Sequence, residues 1–261
     1  MKANGTIALL TDFGISDWYV SSMKAAALVA NTESRLVDIT HEIEQGSISE
    51  GAFVLNRCYN DFPAGTTFVV VVDPGVGTQR EAIVARAGDY YFVGPNNGVL
   101  FPTLEKAGSI ESYQIENPNW KGRKTSSTFH GRDLFAPAAA HLAAGAPIEE
   151  AGGKLEQLAE FSFPTPVLAE SHSQGEIIYF DRFGNGLTNF EPHHLASTAP
   201  IGLRVADTLF PLANTFGEVR EGDPVSYWGS SGFLEVAVRN GDAKAEYKLH
   251  VGSRVDPIYQ D

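Results

Sequence analysis

A run of five apolar residues, Phe68 to Val72, is followed without a break by Asp73, Pro74 and Gly75. Four of the five are valines, and a run this short and β-branched is typical of a strand buried on both faces. Such a strand needs a layer of helices on each side of its sheet. Loops at strand ends are where α/β sheets place their ligands. The sequence therefore predicts an α/β sheet with Asp73 at its functional edge.

The rest of the N-terminal half alternates short apolar segments with segments of helical periodicity. Alternating β and α units favour a largely parallel sheet covered by helices. A polar loop with His130, Arg132 and Asp133 leads into an alanine-rich helix that ends at Gly145. The remaining predicted elements are strands at 6–10, 36–39, 82–85 and 90–93, helices at 19–30 and 48–59, and a further helix after Gly98.

The C-terminal part has a different pattern. Residues 161–175 contain two prolines and several small polar residues without periodicity, which is typical of a linker. Strand signals dominate beyond it, at 176–180, 201–205, 224–228 and 233–238. We therefore predict an α/β N-terminal domain at 1–163, a linker at 164–175 and a smaller, all-β, barrel-like domain at 176–261.

Composition excludes several classes of function. A net charge of −13 and a pI near 4.9 argue against a nucleic-acid partner, which needs clustered Lys and Arg. No apolar run approaches the roughly 20 residues that span a bilayer, and no charged-then-apolar leader opens the sequence, so we expect no membrane partner and a cytoplasmic location. The single cysteine, Cys58, lies among apolar residues and is interpreted as core packing.

Four predicted strands or helices of the N-terminal half carry polar residues that can converge at one sheet edge: Asp12, His41, Asp73 and His130. Each alone is a weak signal, because an Asp at a strand end often caps a helix, as Asp12 could for the helix after it. A single His at a helix entrance is more often a hydrogen-bonding residue than a catalyst. Their convergence is what predicts a site.

The absence of several known motifs excludes the reactions and ligands that those motifs serve. The Gly75-Val76-Gly77 segment lacks the third glycine and the following helix of a dinucleotide-binding fingerprint. The sequence contains no phosphate-binding lysine loop, no nucleophilic serine elbow and no two-histidine zinc helix. We therefore predict neither a metal site nor a cofactor.

Six blocks, in order and spread over both predicted domains, resemble one family. They are LLTDFG at 9–14, DITHEI at 38–43, VVVVDPGVGTQR at 69–80, FVGPNNG at 92–98, STFHGRDLFAPAAAHLA at 127–143 and DRFGNGLTN at 181–189. The family is that of the adenosine-forming S-adenosyl-L-methionine hydrolases, or hydroxide adenosyltransferases, which are relatives of the fluorinase and the chlorinase.

The resemblance implies a homotrimer whose site lies between the N-terminal domain of one chain and the C-terminal domain of its neighbour. It implies metal-free attack of water on the 5′ carbon of S-adenosyl-L-methionine, with release of adenosine and L-methionine. Asp73, Arg80 and His130 match the family's activating set.

The same resemblance implies roles for further residues. Asp12 would bind the ribose hydroxyls, and Asp17 and Asp181 the methionine ammonium group. For Phe216 a core-packing role is an open alternative. The complete predicted substrate-binding set is Asp12, Asp17, Phe129, Asp181, Phe183, Asn185, Phe216 and Ser230, with Phe183, Asn185 and Phe216 on the adenine side and Ser230 at the methionine carboxylate.

Physical chemistry supports the catalytic trio independently. A sulfonium is already a good leaving group, so the difficulty lies in orienting and deprotonating water. A carboxylate or an imidazole can take the proton, while a guanidinium keeps the acid ionised. The sequence leaves open whether Asp73 or His130 accepts it.

Two other functions fit the same residues. One is a metal-dependent nucleotide phosphoesterase with Asp12, Asp73 and a histidine as ligands. The other is a sensor that binds adenosine or S-adenosyl-L-methionine without turnover, with the trio as an ion-pair network.

Three positions depart from the halogenating relatives. In the fluorinase a tyrosine and a halide-binding serine stand where this chain has His130 and Gly131, and a tyrosine stands where it has Asp73. An ionised carboxylate repels a halide but accepts a proton from water. We therefore expect water, not halide, as the nucleophile.

Overall fold

The computed structural model describes residues 2–123, 126–169, 173–195 and 200–260. The chain forms two compact units, Met1–Ser162 and Phe163–Asp261. Residues 170–172 of the predicted linker lie outside the described residues. Within the described ranges, no helix is long and apolar enough to cross a membrane.

The N-terminal unit is built on a six-stranded sheet with helices packed on it. The elements are β1 (Thr6–Thr11), α1 (Tyr19–Ala30), β2 (Arg35–Thr40), α2 (Ile48–Cys58), β3 (Thr67–Val71), β4 (Ala82–Ala87), β5 (Tyr90–Pro95), α3 (Phe101–Ala107), β6 (Ile110–Gln114) and α4 (Ala136–Ala143). The strand order is β2-β1-β3-β5-β4-β6. Strands β2, β1, β3 and β5 are parallel, whereas β4 and β6 pair antiparallel at one side. The largely parallel α/β prediction is therefore confirmed.

The central strand β3 is buried along its whole length because helices cover both faces of the sheet. On one face Val69 and Val71 belong to a core cluster that includes residues of α1 and α4. On the other face Phe68 stacks on Phe92 at 5.3 Å between ring centroids. On α2, Gly51 approaches so closely that an added Cβ would lie 2.9 Å from Val72 Cγ2. Helices on both sides thus fix the strand end that carries Asp73.

The structure corrects one reading of Asp12. The N-cap of α1 is Trp18, six positions further along the chain, and it makes no side-chain capping bond. The carboxylate of Asp12 instead accepts a hydrogen bond from Gly46 N at 2.8 Å. The interpretation of Asp12 as a helix cap is therefore wrong, because the chain runs through an exposed segment, residues 15–18, before the helix begins.

The C-terminal unit is built on a seven-stranded antiparallel sheet. The elements are β7 (Gly175–Phe180), β8 (Gly186–Thr188), β9 (Gly202–Val205), β10 (Thr208–Pro211), β11 (Pro224–Trp228), β12 (Leu234–Val238), α5 (Ala243–Glu246) and β13 (Arg254–Ile258). The strand order is β10-β9-β13-β7-β8-β12-β11. The sheet curls until its edges meet, since Ala213 N donates to Ser226 O and Ser226 Oγ donates to Phe210 O, both at 2.9 Å. The predicted barrel-like β fold is thereby confirmed.

Candidate active site

A cavity of about 920 Å³ opens at the carboxyl ends of β1, β2 and β3 in the N-terminal unit. Its position is the one that parallel strands favour for ligands, and its size suits a small organic molecule. Three strand ends and the loop before α4 line it. The lining residues with functional groups or aromatic rings that the sequence singled out are Asp12, His41, Asp73, Phe129, His130 and Arg132.

Asp73, Arg80 and His130 form one contiguous cluster. Arg80 Nε donates to Asp73 Oδ1 and Oδ2 at 3.0 and 3.1 Å, and Arg80 Nη2 also donates to Asp73 Oδ2. Arg80 Nη2 reaches His130 Nδ1 at 2.7 Å. The side chains of Asp73 and Arg80 are only 5% and 11% exposed. Arg80 is absent from the cavity lining, so Asp73 and His130 face the cavity while Arg80 supports both.

These contacts fix the protonation of His130. A guanidinium can only donate, so Nδ1 of His130 must accept, and the proton of the neutral ring sits on Nε2. Burial lowers the pKa of His130, and the adjacent Arg80 charge lowers it further. A neutral His130 in this arrangement can donate from Nε2 but has no free acceptor nitrogen. Within the cluster, the remaining lone pairs belong to the Asp73 carboxylate.

The loop from Asp73 to Arg80 is shaped by its glycines. Gly77 has a φ of +80°, and an added Cβ would lie 2.7 Å from the carbonyl oxygen of Ser127. Val76 N donates to Asp73 O at 3.2 Å and Thr78 Oγ1 donates to Gly75 O at 2.7 Å, which folds the loop back on itself. The glycines therefore allow close contact with the loop that carries His130, and no phosphate-binding helix follows them.

Asp12 supplies a second carboxylate to the cavity. Burial raises its pKa, and the nearby negative charge of Asp73 adds to the rise. The hydrogen bond from Gly46 N occupies one lone pair of the Asp12 carboxylate, so this carboxylate keeps further acceptor sites. Such a group suits a ligand that presents hydroxyl donors.

A hydrogen-bond network that runs from the buried Thr11 and His41 to the exposed Asp38 holds the loop around Asp12. His41, 5% exposed, contacts Thr11 Oγ1 through Nδ1 at 2.8 Å and Asp38 Oδ1 through Nε2 at 3.0 Å. Its carbonyl oxygen also accepts from Gly14 N at 2.7 Å. The sequence singled out His41 but not Thr11 or Asp38. The sequence signal that could have identified Asp38 as a partner of His41 is their spacing of three residues at the end of β2.

Aromatic side chains form the outer wall of the cavity. Phe129 meets Phe13 and Tyr19 edge to face, with ring centroids 6.0 and 5.3 Å apart. Asp17 lies outside the lining, on the exposed segment 15–18. Ile15 and Trp18 of that segment are 76% and 65% exposed.

The other predicted substrate residues lie in the C-terminal unit, three of them on one tight loop. Asp181 Oδ1 accepts from the backbone N–H groups of Phe183 and Asn185, both at 2.9 Å. Asp181 Oδ2 accepts from Asn185 Nδ2 at 2.8 Å. Phe183 stands at the tip of the loop and is 74% exposed.

Two further loops of this unit carry Phe216 and Ser230. Phe216 is 41% exposed and its ring centroid lies 4.5 Å from that of Tyr227, so it is neither fully core nor fully free. Ser230 is exposed in the turn between β11 and β12. Sequence reasoning overlooked Glu235, which accepts from Tyr227 OH at 2.9 Å. The sequence signal for Glu235 was the alternation along β12, which places Glu235 on the other face of the sheet from Leu234 and Val236.

The predicted residues thus divide between the two units: Asp12, Asp73, Phe129 and His130 line the cavity of the N-terminal unit, Asp17 lies outside that lining, and Asp181, Phe183, Asn185, Phe216 and Ser230 lie on three loops of the C-terminal unit. Among residues 2–123, 126–169, 173–195 and 200–260, no group of three or more His, Cys, Asp or Glu is arranged to hold a metal ion.

Comparison with known proteins gives a consistent picture. Residues 7–152 match the N-terminal domain and residues 175–256 the C-terminal domain of the SAM hydroxide adenosyltransferases. Two proteins named (R)-S-adenosyl-L-methionine hydrolase are each 37% identical. The one from Salinispora arenicola aligns over 93% of this chain and 94% of its own, and the one from Thermus thermophilus over 95% and 98%. A crystal structure of an uncharacterized conserved protein from Thermotoga maritima superposes with a TM-score of 0.89 at 38% identity, covering 97% of this chain and 99% of that one. This chain therefore belongs to the SAM hydroxide adenosyltransferase family.

Proposed function

We propose that the protein hydrolyses S-adenosyl-L-methionine to adenosine and L-methionine, with water attacking the ribose 5′ carbon. The observation that carries this proposal is the Asp73–Arg80–His130 cluster at the wall of the cavity. The names of the relatives from Salinispora and Thermus point to the same reaction.

The cluster suits activation of water. Asp73, which is paired with Arg80, accepts one proton from the water, while His130 Nε2–H donates a hydrogen bond to the water oxygen. The oxygen forms a bond to C5′ as the C5′–S bond breaks, and the bonding pair stays on sulfur. Sulfur leaves as the neutral thioether of methionine, so the leaving group needs neither an acid nor a metal. The proton left on Asp73 then passes to solvent.

The substrate assignments follow the chemistry of each side chain. Asp12 accepts from the ribose hydroxyls, and Asp17 and Asp181 bind the ammonium group of the methionine part. Phe183, Asn185 and Phe216 bind adenine, because an aromatic face stacks on the ring and an amide can both donate and accept. Ser230 binds the carboxylate, and Phe129 closes the cavity wall.

Exposed apolar side chains support a shared site. Ile15 and Trp18 are exposed beside Asp17, and Phe183 and Phe216 are exposed in the C-terminal unit. A homotrimer that joins the N-terminal unit of one chain to the C-terminal unit of its neighbour would cover such surfaces. Metal independence and the cytoplasmic location stay predictions.

The decisive experiment is incubation with S-adenosyl-L-methionine in ¹⁸O-labelled water, with and without a chelator, followed by chromatography and mass spectrometry. We expect adenosine and L-methionine in equal amounts, with the label in the adenosine 5′-hydroxyl and no effect of the chelator. Loss of turnover on chelation, restored by one divalent ion, would favour the phosphoesterase alternative. Binding without product would favour the sensor.

A further inference from the structure

A buried carboxylate outside the catalytic cluster stands out in the C-terminal unit. Glu235 lies on β12, which runs between β8 and β11, and it is only 8% exposed. Its strand neighbours Leu234 and Val236 face the main core. Glu235 therefore points to the opposite face of the sheet, where a small cluster of Val225, Tyr227 and Ala237 is packed.

Both oxygens of Glu235 are used. Oε2 accepts from Tyr227 OH at 2.9 Å and Oε1 accepts from Ser231 Oγ at 3.2 Å. Burial raises the pKa of Glu235, and the nearby charge of Asp181 adds to the rise. At Gly229 an added Cβ would lie 1.8 Å from Glu235 Oε1, so the turn between β11 and β12 is closed tightly around this group.

Each partner of Glu235 supports a different predicted substrate contact. Tyr227 packs its ring against Phe216, on the predicted adenine side. Ser231 follows directly after Ser230, at the predicted methionine carboxylate. A second side chain also stabilises the loop with Phe216, since Arg239 Nη1 donates to Val219 O at 2.5 Å.

A structural role alone does not call for a carboxylate at this position. An apolar residue would fill the same place without the cost of desolvating a charge. A carboxylate, in contrast, accepts two hydrogen bonds in fixed directions and so holds two loops in register.

We propose that Glu235 is a positioning residue of the substrate site, which holds Phe216 through Tyr227 and Ser230 through Ser231. This inference rests on the proposed function. Beyond that function, it assigns to Glu235 the positions of two substrate contacts, Phe216 at adenine and Ser230 at the methionine carboxylate, although Glu235 itself touches neither part of the substrate.

The test removes the two hydrogen bonds of Glu235, to Tyr227 and to Ser231, one at a time. Tyr227→Phe removes the hydroxyl that reaches Oε2, and Ser231→Ala removes the one that reaches Oε1. Glu235→Gln replaces one acceptor oxygen with an amide NH2, so one of the two hydroxyls must turn from donor to acceptor or lose its bond. Adenosine and L-methionine binding are measured separately by calorimetry, with KM and kcat for S-adenosyl-L-methionine. We expect Tyr227→Phe to weaken adenosine binding and Ser231→Ala to weaken methionine binding, each by about fivefold to tenfold.

Glu235→Gln should weaken both ligands and raise KM by about tenfold, while kcat falls less than about threefold because the activating trio is untouched. Glu221→Gln, an exposed carboxylate of the same unit, is the matched control and should change nothing. Equal weakening of both ligands by Tyr227→Phe and Ser231→Ala, or an unchanged KM in Glu235→Gln, would overturn the proposal. An unmodified protein that releases no adenosine would instead overturn the function itself. If Glu235→Gln does not fold, the two single-hydroxyl variants still decide the matter.

Discussion

At the scale of single residues, substitution of Asp73 should affect turnover most, since Asp73 is the proton acceptor in the proposed reaction. Asp73→Asn keeps the shape but loses the charge, and we expect kcat to fall by ~10²-fold or more with little change in adenosine affinity. Stopped assays analysed by chromatography, with calorimetry for binding, measure both quantities. Asp61→Asn, at an exposed carboxylate, is the control. Near-normal turnover in Asp73→Asn would remove Asp73 from the mechanism.

His130 should titrate unusually low. Burial and the adjacent Arg80 charge lower its pKa below the ordinary value of 6.5, whereas the charge of Asp73 opposes this. Protonation would remove the Nδ1 acceptor of Arg80, so we expect kcat/KM to fall as the pH drops through this lowered pKa and to stay level above it. NMR titration of the imidazole measures the pKa directly. Asp73→Asn should lower the pKa of His130 further, and a pKa above 6.5 would contradict the dominance of burial and the Arg80 charge over the charge of Asp73.

Gly131 bears on the choice of nucleophile. An added Cβ would lie 3.1 Å from Met23 Sδ and 3.2 Å from Phe13 Cζ, so the halide-binding serine of the fluorinase does not fit here without movement. Asp73 adds electrostatic repulsion of an anion. We expect neither the unmodified protein nor Gly131→Ser to form a 5′-halo-adenosine in chloride or fluoride, as judged by mass spectrometry. Detection of such a product with the unmodified protein would refute water as the sole nucleophile.

At the scale of elements, we expect the contact between the Asp73–Arg80 loop and the loop of His130 to control the geometry of the proposed catalytic cluster. Gly77→Ala would place a methyl group against Ser127 O at a φ of +80°, and so should push the Asp73–Arg80 loop away from His130. Displacement of this kind should lower kcat by about tenfold or more. Gly145→Ala is a matched control, because Gly145 has a φ of +95° with nothing within 4 Å.

Both glycine variants should lose about 1–2 kcal/mol of stability from the left-handed backbone, as measured by denaturant unfolding. Only Gly77→Ala should lose turnover. Equal turnover in the two variants would show that the loop contact does not set the position of Arg80.

Elements with strong local patterns could be predicted from the sequence, and those defined by their neighbours could not. The valine run placed β3 to within one residue, because burial on both faces demands a continuous apolar segment. Strand β6 has only one buried residue and so little apolar signal, while β8 has only three residues. The sequence also could not show that Arg80 reaches both Asp73 and His130, since these contacts span 7 and 50 positions.

At the scale of the whole molecule, the proposed trimer can be tested by complementation. Asp73→Asn damages a contact in the N-terminal unit, and Phe183→Ala damages one in the C-terminal unit. If neighbouring chains share a site, mixing the two impaired variants should restore part of the activity, because some sites then combine two intact halves. Unfolding and refolding the mixture allows the chains to exchange.

Light scattering on the unmodified protein gives the mass of the assembly. Each variant refolded alone is the control and should keep its low activity. A fully active monomer, or a mixture with no more activity than its parts, would contradict a shared site.

The N-terminal unit is one uninterrupted stretch that ends at Ser162, and it contains the whole catalytic cluster and the described lining of the cavity. Its core cluster draws only on residues of that stretch. During synthesis, therefore, the ribosome delivers all the partners of Asp73 before the C-terminal strands exist, and domains generally fold as units in that order. The Asp73–Arg80–His130 cluster can be assembled on the nascent chain, whereas the predicted substrate contacts on the loops of Asp181, Phe216 and Ser230 wait for the finished polypeptide.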